Sequence, residues 1–175
     1  MLLFAKHVGI LPYATIHAVI ATVLYVKALR KTLVELSQDE KHLGAQIGFF
    51  SLLHTWSQDL HYHPHIHTVI LAGGLTKDNC WRSSSNIFFI PVKVLSKKFR
   101  GKFLHYLKQY YHQNLLVFYG TAQQYQHRKT FSNLLNQCYN KDWYSYTKRT
   151  FSGPLAIVKY LGKYTYPLPY PMLGL

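Results

Sequence analysis

Acidic residues are scarce in this sequence: six Asp and Glu stand against twenty Lys and Arg, for a formal charge of +14 with histidine neutral. The six are Glu35, Asp39, Glu40, Asp59, Asp78 and Asp142, three of them close together and the rest scattered. Two-metal nucleases and acid/base glycosidases converge two or three carboxylates on one site, and this chain has few to give. Cysteine is equally thin. Cys80 and Cys138 lie far apart and neither belongs to a C-x-x-C ligand pair, so a reduced, cytoplasmic chain is the expectation. Long apolar runs are absent too. The opening MLLFAKHVGILPYATIHAVIATVLYV is broken by Lys6, His7, Pro12 and His17. Its clean stretch from Ala18 to Val26 falls far short of the roughly 20 residues that a membrane span needs. No membrane anchor is expected, and no internal repeat or low-complexity tract is found.

What remains is a chain of 175 residues, 49% hydrophobic, enough for one domain with a real core. The cationic excess speaks of partners rather than fold. Nucleic acid is the commonest polyanion to match it, an anionic membrane surface is the competitor, and a basic piece of a larger acidic assembly is the bland alternative.

Apolar periodicity divides the chain into strands and helices. TIHAVIATVLYV is rich in β-branched residues and is expected as a strand. KALRKTLVELSQDEKHLG repeats Leu29, Leu33 and Leu36 at helical spacing and stops at Gly44. AQIGFFSLLHTW and HIHTVILAGG read as strands, the latter closing on Gly73 and Gly74 as a turn. TKDNCWRSSSN is a loop and IFFIPVKVL a strand. SKKFRGKFLHYLKQYYHQNL gathers Phe99, Phe103, Tyr106, Leu107 and Tyr110 on one face, with lysine and arginine around the rest, as an amphipathic helix with a cationic outside does. LLVFYG resembles a short strand, and a short helix, a strand carrying Trp143 and a basic turn follow. From Pro154 the chain turns helical, with proline in the first turn where its missing N–H costs nothing. Strands and helices mix without strict alternation, so the expected class is α+β, an antiparallel sheet with flanking helices.

Two constellations carry chemistry. The first is HYHPHIHTVILAGG, His61 to Gly74, with four of the eleven histidines in its first seven residues. Strand side chains alternate faces, so His65 and His67 share a side while Ile66 takes the other. Pro64 suits the first residue of a strand because it cannot donate to a ladder. Two neutral imidazoles suit Mn, Zn, Fe or Ni, and Mg where phosphate and water complete the shell. The plain alternative is solvent-facing histidines on a basic surface. Familiar hydrolase sites fail on residues: Thr68 and Val69 follow the pair where a metallo-β-lactamase needs x-Asp-His, a cupin wants an early glutamate, and an amidohydrolase barrel needs a far longer chain.

The second is FSGPLAIVKYLGKYT. Tyr160 and Tyr164 stand four apart, so on a helix both phenols share one face, with Lys159 and Lys163 repeating the spacing beside them. A tyrosine pair so spaced is by itself most often packing. Together, however, LHTWSQDLHYHPHIHTVILAGGL, FFIPVKVLSKKFRGKFL and DWYSYTKRTFSGPLAIVKYLGKYT resemble the two-tyrosine HUH transposases of rolling-circle, IS-ninety-one-like insertion sequences, over roughly residues 31 to 166. The resemblance implies that His65-Ile66-His67 is the His-hydrophobic-His motif binding a divalent metal, Mg or Mn. It implies that Tyr160 and Tyr164 attack single-stranded DNA at transposon ends, leaving a 5′-phosphotyrosine. Lys148, Arg149, Lys159 and Lys163 are candidate phosphate contacts, with a solvated basic face as the alternative for each. A third metal ligand is not placed: His61, Gln58, Asp59 and His54 are the candidates. Trp56, Trp81 and Trp143 would stack on unpaired bases or fill core.

The chain departs from the family at both ends. With Cys80 and Cys138 alone, the family's cysteine-rich zinc module is not expected within these residues, and TYPLPYPMLGL stands where His-Arg and an apolar strand are expected, with Pro167, Pro169 and Pro171 ruling out helix or central strand. The expected division is a divergent or truncated segment 1–24 with a possible first strand, a nuclease domain 25–166, and an irregular tail 167–175. Function is then either metal-assisted, tyrosine-mediated strand transfer by a fragment, or DNA binding by a catalytically inactive remnant. A zinc hydrolase is a distant third. A frameshift would explain the tail, since Tyr170 to Leu175 is encodable so that the neighbouring frame gives Ser-Asn-Ala-Arg-Ile. The gene's nucleotide sequence checks this: a neighbouring frame without the missing family segment sinks it.

Overall fold

The computed structural model describes residues 2–6, 18–56, 62–84 and 90–148, together with the helical positions 155, 159 and 162. In chain order the elements are β1 (Leu2–Lys6), α1 (Ala18–Gln38), β2 (Gln46–Trp56), β3 (Tyr62–Leu75), β4 (Trp81–Ser83), α2 (Val92–His112), a 3-10 helix (Gly120–Gln126), α3 (Arg128–Asn140) and β5 (Tyr144–Lys148). The class is α+β with an antiparallel sheet and flanking helices, as the sequence led us to expect. The sheet runs β2-β3-β1-β5, with β4 also paired to β3.

The core lies between the helices and one face of the sheet. Helix α1 buries Leu24, Tyr25, Ala28, Leu29, Leu33 and Leu36 at three- and four-residue spacing, and α2 answers with Leu95, Phe99, Phe103 and Leu107. The Tyr25 ring lies 4.8 Å from Phe103 and 6.0 Å from Phe99. From the sheet, Ile47, Ile66 and Ile70 join this cluster, and α3 adds Phe131, Leu134 and Cys138. Burying each such side chain contributes about 1.5–3 kcal/mol.

Five expectations about local structure give way, one of them the loop TKDNCWRSSSN, within which Trp81–Ser83 forms β4 against β3. TIHAVIATVLYV is not a strand where it is described: α1 begins at Ala18, and the strand of this region is instead Leu2–Lys6, between β3 and β5. β-Branched residues lower helix propensity only slightly, and Leu24, Tyr25, Ala28 and Leu29 at helical spacing supply the apolar stripe that decides the matter. The end of IFFIPVKVL likewise opens α2, with Pro91 at its N-cap. LLVFYG is irregular and leads into the 3-10 helix, with Leu116 and Phe118 buried and Leu115, Val117 and Tyr119 exposed.

Gly73 and Gly74 are not a turn but lie inside β3, paired to β4 and, at Gly74, also to Ile47 of β2. A Cβ at Gly74 would press on the Gln46 carbonyl oxygen, and one at Gly73 would stand 2.6 Å from the Arg82 carbonyl. Backbones approach so closely here that only glycine fits. The reversal comes at Thr76–Cys80, where the Thr76 N–H donates to the Cys80 carbonyl at 2.9 Å. Gly44 does end the α1 region, at φ +61°, with its N–H donating to the Asp39 carbonyl at 3.1 Å.

Glu35 on α1 pairs with both Lys98 and Lys102 on α2, and these two ammonium groups hold its carboxyl below the ordinary value of 4.5. A carboxylate with a lowered folded pKa stabilises fully above its unfolded pKa and loses that contribution as pH falls through the folded one. Glu35→Gln is therefore expected to cost less than about 1 kcal/mol at neutral pH, the pair being half exposed. Urea unfolding from pH 7 down to about 3 checks this: the gap between the two proteins should close below about pH 4.5.

Candidate metal and DNA site

Strand β3 is paired on both sides where the histidines fall. His65 stands opposite His54 of β2 and Lys6 of β1, and His67 opposite Leu52 and Phe4. Alternation puts Ile66, Thr68 and Ile70 toward the helices, all at most 1% exposed, and His65 and His67 on the other face. His67 is buried at 2% exposure and His65 is half-buried, with ring centres 4.7 Å apart and ring planes at 61°. The strand begins at Tyr62 rather than Pro64. His63 and Pro64 fall at a register irregularity between His54/His65 and Trp56/Tyr62, the kind of interruption where a residue without an N–H is tolerated.

Two neighbouring imidazoles are donors of the type that divalent transition metals take. They are an incomplete set: among the described residues no group of three His, Cys, Asp or Glu is assembled to hold a metal. The register adds a name. In backbone register His54 is the direct partner of His65. Of the four third-ligand candidates, only His54 lies within the described residues.

Tyr160, Tyr164, Lys163 and Arg149 lie outside the described residues. Lys159 is exposed on helical backbone, and Lys148 ends β5 opposite Leu2, itself opposite Val69. That register sets position 148 on the histidine face, two strands from β3. Trp143 is core: 5% exposed, packed on Phe99 and Phe103, with its indole N–H donating to the Cys138 carbonyl at 3.0 Å. Trp81 is exposed, its indole N–H donating to the Ser83 hydroxyl at 3.1 Å. Burial pushes the Cys138 thiol up to about 11, so the thiol is protonated at neutral pH. No helix among the described residues is long and apolar enough to cross a membrane.

Residues 48–170, more than half of the chain, match the model of the family described as "Putative transposase" (Y2_Tnp), a span containing both histidines and both tyrosines. This chain belongs to that transposase family. It is 38% identical over 144 residues to "Putative transposase y4qJ" of Sinorhizobium fredii (strain NBRC 101917 / NGR234), covering 82% of this chain and 36% of that protein. It is also 40% identical over 45 residues to the transposase for insertion sequence element IS801 of Pseudomonas savastanoi pv. phaseolicola, covering 26% of this chain and 11% of that one. The chain thus spans about a third of the length of the first of these transposase relatives. No solved structure matches it.

The hydroxyls of Ser51 and Thr68, 2.9 Å apart, pin β2 to β3 one residue beyond His67. Thr68 is fully buried, so Thr68→Val should cost about 1 kcal/mol, read as a lower denaturant midpoint with unchanged slope.

Proposed function

We propose that this chain is the nuclease part of a transposase and cuts and rejoins single-stranded DNA at transposon ends through a tyrosine–DNA intermediate. The observation that carries this is the pair of imidazoles side by side on one face of the central strand β3, in a chain of a transposase family. Tyr160 and Tyr164 are the nucleophiles. A phenolate oxygen attacks phosphorus, the bond from phosphorus to the 3′ oxygen breaks, that oxygen gains a proton, and the 5′ phosphate stays on the tyrosine. Rejoining reverses the exchange: a 3′-hydroxyl attacks the phosphotyrosine and the phenol regains its proton. Two tyrosines let one DNA end be held while another is cut.

A phenol with pKa of about 10 is a weak nucleophile at neutral pH. A divalent ion, Mg or Mn, supplies when bound the positive charge that offsets charge developing on the scissile phosphate. His65 and His67 would hold it through neutral nitrogens, and His54 is the third donor favoured by register. Lys148, Arg149, Lys159 and Lys163 steady the flanking phosphates. Scarcity of carboxylates is no obstacle, because none of these roles needs one.

Incubating the chain with labelled single-stranded DNA and Mn, followed by denaturing electrophoresis, should give a covalent adduct. Tyr160→Phe with Tyr164→Phe should abolish it while leaving DNA binding in place. DNA binding without adduct at any metal concentration would identify an inactive remnant instead. In a separate titration, His67→Ala should weaken Mn binding by at least about tenfold, and His54→Ala by a smaller factor. Wild-type affinity in both variants would remove the metal site from this face.

A further inference from the structure

A second site-like feature lies at the far edge of the sheet. Between the first turns of α2 and the start of β5 is a cavity of about 450 Å³, within the range that accommodates small organic ligands. Val92 and the indole of Trp143 make part of its wall apolar. That indole is fixed by its packing on Phe99 and Phe103 and by its hydrogen bond to Cys138. Lys93, Lys97 and Arg100, spaced four and three along α2, line the same cavity as one cationic stripe. Arg100 is held rather than free: its Nη1 donates to the Lys141 carbonyl at 2.8 Å, and its guanidinium lies 4.9 Å from the Tyr139 ring centre. Among the described lining residues, three cations therefore face one carboxylate, Asp142. Ser145, also in the lining, is opposite Ala5, which is opposite Ile66, so the cavity opens on the face away from the histidines.

We propose that this groove holds one unpaired nucleotide of a DNA single strand. Val92 and the small exposed part of Trp143 give a base apolar surface to pack on whatever its identity. Cations along one helix stripe suit the phosphates before and after it, and Asp142 offers an acceptor to an exocyclic amino group. A paired base is committed to its complement and stacked on both sides, so duplex does not fit. β5 ends the described sheet order, two strand spacings or about 10 Å from β3. The inference rests on the chain handling single-stranded DNA, but not on its cleaving it.

The test is the affinity of the chain for a fluorescent oligothymidylate in EDTA, where no metal-assisted step occurs, over a series of salt concentrations. Lys93→Glu with Lys97→Glu should weaken binding by about tenfold or more. It should also lower the slope of log affinity against log salt by about 1.4, the loss of two phosphate contacts on a single strand. Lys77→Glu with Lys129→Glu, the same charge change at exposed positions outside the groove lining, should weaken binding by less than about threefold. Equal losses in the two variants, or none in either, would falsify the groove. Replacing the thymines by abasic sites should weaken wild-type binding but not the groove variant. An abasic strand bound as tightly as oligothymidylate by the wild type overturns the nucleotide fit. Far-UV circular dichroism and thermal midpoints establish that each variant is folded. A chain that forms no tyrosine adduct yet shows selective loss through Lys93 and Lys97 refutes cleavage and keeps the groove.

Discussion

Strand β3 is paired by β2 on one side and by β1 on the other, and that double pairing fixes its register twice over. A slip of one residue against either neighbour would turn Ile66 and Ile70 out of the helical core and turn the imidazoles into it. The apolar set decides which face is inside, and the histidines follow because they occupy the alternate positions. Burial of Ile66 thus fixes the face on which His65 and His67 lie. Thr68 adds a polar tie to Ser51 on the helix side, where an unpaired hydroxyl would be costly.

Scarcity of acid has a structural counterpart. Glu35 clamps α1 to α2 through two lysines, and Glu40 reaches Arg82 of β4 at 3.2 Å. Asp39 accepts the Lys41 backbone N–H at 2.9 Å in the turn after α1. Arg82 also donates to the Leu43 carbonyl at 3.0 Å, so that turn and the β3–β4 hairpin are joined through one guanidinium. Of the described carboxylates, these three serve the fold. A strongly cationic chain repels itself, and the few anions fall where they bridge separate elements. What is left over is positive and solvent-facing, which suits a polyanionic partner.

Legibility in the sequence followed the clarity of the periodic signal. The His-Ile-His alternation, the stripe of α2 from Phe99 to Leu107, and the stop at Gly44 were readable because one residue pattern admitted one geometry. TIHAVIATVLYV misled because β-branched composition spoke for a strand while the spacing of Leu24, Tyr25, Ala28 and Leu29 spoke for a helix, and burial sided with spacing. Gly73 and Gly74 misled because a glycine pair signals both a turn and a close backbone approach. Only the presence of β4 decides between them. The pairing of His54 with His65 was out of reach, since it follows from the register irregularity around His63 and Pro64 and not from any local pattern.

The sheet presents two different sets of side chains on its two faces. Imidazoles sit on the side of β3 that the described helices leave alone, while the cationic stripe of α2 meets β5 on the opposite side. Affinity for a polyanion depends on charges that salt screens, and catalysis on the local geometry of a few groups. If the groove holds DNA as proposed, its Lys93 and Lys97 can be changed without touching the histidine face. A chain of this family that lost its chemistry would keep its hold on DNA, so binding alone says nothing about whether the histidine face works. The covalent bond to tyrosine does, because no array of lysines makes one.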